Sequence, residues 1–174
     1  FALLLDIPLG VLAAVRPNSL FDRVALTIAV VGQAMPSFWF ALTLILWLGV
    51  HWRLLPITGS DSWANFVMPA IALGYYVTPA VMRLTRAGTR EALAQDYVRY
   101  ARAKGLPERR VIGVHVLANI LVPIVTVAGL EFGSLVAFSI VTETIFAWPG
   151  MGKLLIDSIG TLDRPVIVAY LCVI

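Results

Sequence analysis

Residues 117–147 read LANILVPIVTVAGLEFGSLVAFSIVTETIFA, a run without Lys or Arg in which Glu131 and Glu143 are the only charges. A block of about 20 such residues crosses the ~30 Å hydrocarbon core of a bilayer as a helix, so this stretch reads as a membrane span. Working outward, charge gaps mark four more apolar segments: one before Val15, Val24–Val50, Phe66–Leu84 and one after Val166. Across 174 residues 60% are hydrophobic and only 13% charged, against about 25% charged in soluble domains. The expectation is an all-α, polytopic bundle of transmembrane helices. Val24–Val50 would be roughly 40 Å long at 1.5 Å per residue and contains Pro36, which predicts tilt or a kink. The two end segments fall short of a span, and Phe1–Val15 lacks the basic start and cleavage site of a signal peptide. Residues 1–174 are therefore read as one transmembrane domain truncated at both ends.

Lys and Arg stay on the cytoplasmic side of a membrane, and their distribution orients the segments. Arg83–Leu117 carries eight basic residues against the three acids Glu91, Asp96 and Glu108, an excess of five positive charges. That loop is placed inside, together with Arg16–Arg23. The remaining loops balance, Arg53 with Asp61, and Lys153 and Arg164 with Asp157 and Asp163. They are placed outside, where Trp52, Trp63 and Trp148 suit the interface or pack locally. The lone Cys172 lies in an apolar run, permits no intrachain disulfide and reads as packing.

The one long polar region, residues 85–116, is helical by pattern. Leu93, Tyr97, Tyr100 and Ala101 form an apolar stripe beside Asp96, Arg99 and Arg102. Gly105 supplies a stop after Lys104, and Pro107 suits the first turn of a new helix, so helix, sharp turn and helix are expected. Charge alone would fit a solvated loop near anionic lipid. Ala101, Ala103 and Gly105 alternate with Arg102 and Lys104, however. Such small residues leave an exposed knob whose backbone a partner protein can approach closely.

Asp96-Tyr97-Val98-Arg99, then Ala101-Arg102-Ala103-Lys104-Gly105-Leu106, with His115, Asn119 and Pro123 downstream, resembles the cytoplasmic signature of binding-protein-dependent ABC transporter permeases. The dipeptide, oligopeptide and nickel branch is the most similar. Met35-Pro36-Ser37-Phe38-Trp39, Leu55-Pro56-Ile57-Thr58-Gly59, Glu143-Thr144-Ile145-Phe146 and Pro149-Gly150-Met151-Gly152 extend the resemblance over nearly the whole chain. The general permease signature (Glu-Ala-Ala, three residues, Gly, nine residues, Ile-x-Leu-Pro) is matched only at Ala101, Gly105 and Leu117. Arg99 stands at its Glu and Ala118 at its Pro.

The resemblance implies a MetI-like ABC importer permease of the cell inner membrane. Its partners would be a second homologous permease, two ABC ATPase subunits and an extracytoplasmic solute-binding protein, with lipid around it and no nucleic acid. It also implies that a short helix at this turn enters a cleft on the ATPase, whose ATP-driven closure rocks the permeases between inward- and outward-facing states. ATP can shift that equilibrium only through contacts that differ between the states. Ala101, Arg102, Ala103, Lys104, Gly105, Leu106, Pro107 and Glu108 are where coupling would enter.

No catalytic, cofactor or metal site is expected. Gly150-Met151-Gly152-Lys153 fails the phosphate-loop pattern at Ala147 and Leu154. His51 and His115 fall on opposite sides of the membrane, and His115 reads as a hydrogen-bonding residue rather than a proton switch. Asp6, Glu131 and Glu143 lie in or near apolar segments, where ionised groups are costly and face an interior or a path. For Glu143, local bonding to backbone groups competes with a path role. For Glu131 the rival is helix packing through Gly129, Gly133 and Ala137. Ser37, beside Pro36, is a third path candidate, although its aromatic neighbours suit packing or lipid. Import of peptides or related small solutes is the expectation. Nickel or glutathione, an ATP-independent channel or secondary transporter, and a membrane scaffold are the alternatives.

Overall fold

The computed structural model describes residues 2–173, and every regular element among them is helical. In chain order these are α1 (Ala2–Val15), α2 (Leu20–Ala34), α3 (Ser37–Leu44), α4 (Trp63–Ala94), α5 (Asp96–Ala103), α6 (Glu108–Arg110), α7 (Leu117–Ile145), α8 (Met151–Gly160) and α9 (Arg164–Val173). Two π-helical stretches, Ile45–His51 and Val111–Val116, follow α3 and α6. Two continuous helices are long and apolar enough to cross a membrane: α4, and the helix running from Glu108 to Ile145.

The segment Val24–Val50 is two helices rather than one tilted or kinked span. Pro36 has no N–H and disfavours helical backbone at Met35. It sits extended at φ −60°, ψ 136° and opens α3 as its N-cap. At the other end Arg16–Ser19 makes the turn between α1 and α2, with Asn18 left-handed at φ 62°. Ser19 Oγ accepts the Asp22 N–H at 3.1 Å, which satisfies a donor that the start of α2 would otherwise leave free.

The chain forms two compact units, Phe1–Ala34 with Tyr75–Phe132, and Met35–Gly74 with Gly133–Ile174. In the first, Ala25, Ala29 and Met82 are buried with Leu9 packed on them. Small residues let these helices approach closely, as membrane helices do without a hydrophobic drive between them. A Cβ at Gly10 would lie 2.8 Å from Thr85 Cβ, and Gly32 O accepts the Tyr75 hydroxyl. In the second unit Ala41, Met68, Ala72 and Phe146 form a core against Leu44, Ile45, Leu48, Leu55 and Ile145. There Phe66 stacks edge-on against Trp148 at 4.3 Å between ring centroids. Leu121, Val122, Val125, Leu130 and Phe132 on α7 are exposed. That arrangement suits lipid as the solvent.

Candidate functional site

The polar region is built on α4, which at 32 residues is roughly 48 Å long and outruns a ~30 Å hydrocarbon core. It ends at Ala94. Gln95 is extended (φ −73°, ψ 153°) and starts α5, so a break separates Leu93 from the residues expected to share its stripe. The buried face of α5 is Val98 and Ala101, three residues apart, while Tyr97 and Tyr100 are exposed. The expected stripe of Leu93, Tyr97, Tyr100 and Ala101 is thereby corrected. Tyrosine is amphipathic and stays out where smaller Val and Ala fit the packing. α5 packs on the π-helical stretch after α6, where Val111 and Val116 are buried.

The turn itself is closed by two backbone bonds. Gly105 N–H donates to Arg102 O at 2.9 Å and Leu106 N–H to Ala101 O at 3.3 Å, with Gly105 left-handed at φ 74°. This pairing is the Schellman termination, and glycine takes the left-handed position without a Cβ penalty. Pro107 is the extended N-cap of α6, one position earlier than a first-turn proline. Across the turn Arg102 Nη2 lies 2.8 Å from Glu108 Oε1, and Lys104 Nζ sits 4.6 Å from the Tyr100 ring centroid. Arg102, Ala103, Lys104, Gly105, Pro107 and Glu108 are exposed and Leu106 is half-buried. Ala101 is 5% exposed and anchors the turn rather than forming part of its open surface.

Beside the turn, Gly88, Glu91, Ala92, Gln95, Tyr97, Asn119, Ile120 and Pro123 line an open groove of about 300 Å³. A Cβ on Gly88 would stand 3.3 Å from Ile120 Cγ2, so α4 and α7 meet there. Asn119 Nδ2 donates to His115 O at 2.6 Å. Local periodicity could not have located this groove, because its walls are some thirty positions apart in sequence. It was equally blind to Asp22, which accepts Arg86 Nε and Nη2 at 2.6 and 2.7 Å. The Ser19-x-x-Asp22 spacing did carry a signal for the start of α2.

Of the path candidates, Glu131 lies in the first unit and Ser37 and Glu143 in the second, all three half-buried. The Glu143 carboxylate accepts the Lys153 N–H at 3.0 Å. It thereby caps α8 and opposes the positive end of its dipole. Gly152 has no room for a side chain, since its Cβ would stand 2.6 Å from Ile140 Cγ1.

A helical membrane protein with an exposed, basic, glycine-ended turn after α5 is what this geometry defines. Residues 6–174 match the binding-protein-dependent transport system inner membrane component family, and the chain belongs to it. The dipeptide transport system permease protein DppB of Escherichia coli (strain K12) is 41% identical over 198 aligned residues, which cover 96% of this chain and 58% of that protein. The glutathione transport system permease protein GsiC of the same strain is 43% identical over 169 residues, 97% of this chain and 55% of that protein. GsiC of Shigella dysenteriae serotype 1 (strain Sd197) is likewise 43% identical. The chain spans a little over half the length of these relatives.

Proposed function

We propose that this chain supplies the transmembrane permease domain, residues 1–174, of an ATP-driven importer, and that residues 85–116 are its cytoplasmic coupling loop. A second permease would complete the path, two ATPase subunits would hydrolyse ATP, and an extracytoplasmic binding protein would deliver the solute. The chain itself carries no catalytic step. Short peptides are the proposed cargo, a class that includes both the dipeptide and the glutathione of the relatives' names.

The observation that carries the reading is the turn. Its backbone is closed on itself by the Gly105 and Leu106 bonds, so it moves as one piece. Its basic rim faces outward while Ala101 and Val98 root it in the first unit. A rigid exposed lever on a buried anchor suits force transfer, whereas lipid attraction needs charge without that shape. Glu131 is proposed to face the solute path. Glu143 is assigned to holding α8, and Ser37 to the opening of α3 after Pro36.

Scrambling residues 101–108 in the full permease tests the coupling. The expected result is normal membrane insertion with loss of ATPase co-purification. Retained ATPase binding would overturn it.

A further inference from the structure

The charge pair with the most restrictive geometry in the first unit is Asp22 with Arg86, and the coupling turn makes no use of it. Asp22 is 2% exposed. Its carboxylate takes three N–H donors, Arg86 Nε and Nη2 in parallel and the Asn18 backbone at 3.0 Å. Its own N–H is held by Ser19 Oγ. One carboxylate therefore joins the α1–α2 turn, the first turn of α2 and the side of α4.

A surface pair could slide or exchange with water. A bidentate fork on a buried carboxylate keeps both direction and distance, and separating it strands the buried Asp22 charge. The neighbouring packing points the same way, because Gly10 of α1 leaves no space for a Cβ against Thr85 of α4. Arg86 lies eight residues before the end of α4 at Ala94, roughly 12 Å along the helix from the break that begins α5. α5 follows directly on this end of α4, and it also packs on the π-helical stretch that leads into α7.

We infer that Asp22 and Arg86 are positioning residues, a joint that carries displacement of the cytoplasmic turn from α4 into α1 and α2. This rests on the coupling role proposed above. With the fork intact, α4 cannot shift at its cytoplasmic end without taking the α1–α2 turn along. With it broken, α4 moves alone and ATP-driven motion is lost before it reaches those helices.

The test uses the complete transporter in lipid vesicles, with solute uptake and ATP hydrolysis measured on the same preparation for D22N, R86K and the double variant. Subunit assembly and hydrolysis should stay within about twofold of the unaltered complex, while uptake per ATP falls at least about fivefold. The double variant should be no worse than either single one, because both remove the same link. R86K keeps the charge and stem but not the fork, and so reports on the joint even where D22N fails to assemble. An unaltered uptake per ATP in R86K, or thermal stability falling with the ratio unchanged, overturns the inference. An unaltered transporter that recruits no ATPase overturns the coupling role, and the joint with it.

Discussion

The turn after α5 and the corner after α7 use the same backbone closure in opposite surroundings. After α5, Gly105 and Leu106 bond back to Arg102 and Ala101; after α7, Ala147 and Trp148 bond back to Thr144 at 3.3 Å and Glu143 at 2.8 Å. The left-handed residue is Gly105 in one and Ala147, at φ 49°, in the other. Around Gly105 an added Cβ would meet nothing within 4 Å, whereas the second corner is filled by buried Phe146, the Phe66–Trp148 stack and the Glu143 carboxylate on α8. A left-handed alanine costs roughly 1–2 kcal/mol, and surrounding packing can hold it. An open turn has no such packing to call on, and glycine removes the cost at its source. The first turn is open to its surroundings; the second is closed upon itself.

The largest effect expected from that contrast is at the filled corner. Gly152→Ala drives a Cβ to 2.6 Å from Ile140 Cγ1 and 2.8 Å from its Cα, and backbone cannot yield as a side chain can. Overpacking of this kind costs about 1–3 kcal/mol, which a thermal melt of the purified transporter in detergent reads as a lowered midpoint. An unchanged midpoint would mean the corner is not packed as described. Next come Gly105→Ala and Ala147→Gly, which should move the same midpoint in opposite directions, each by about 1 kcal/mol. Shifts of the same sign would break the comparison, since a shared backbone motif is its basis. Arg102→Ala is the smallest. Its bridge to Glu108 joins side chains 44% and 58% exposed, and exposed pairs contribute at most about 1 kcal/mol. The melt should hardly move. A large fall would show that the turn depends on its charges more than on its backbone closure.

Much of this is legible in the sequence. The stop at Gly105 and the new helix after Pro107 follow from residue chemistry alone. Pro36 marked trouble in Val24–Val50, though a kink was expected where the helix breaks completely. The face of α5 was misread at Tyr97 and Tyr100, which stay exposed while Val98 and Ala101 are buried, and Leu93 belongs to another helix because Gln95 breaks the register. Glu143 was open between a path role and local bonding. The Lys153 N–H it accepts lies ten residues on, beyond the reach of a periodicity argument.

By itself the sequence determined that the chain is helical and lives in a membrane, and where its basic loop turns. These follow from transfer free energy and the φ freedom of single residues, all local or additive along the chain. Only the tertiary structure decided that Val98 and Ala101 root α5, and that Arg86 finds Asp22 64 positions away. It also decided that the groove beside the turn is walled by α4 and α7. Such pairings depend on which helices lie side by side, and a charge in one loop carries no mark of its partner in another.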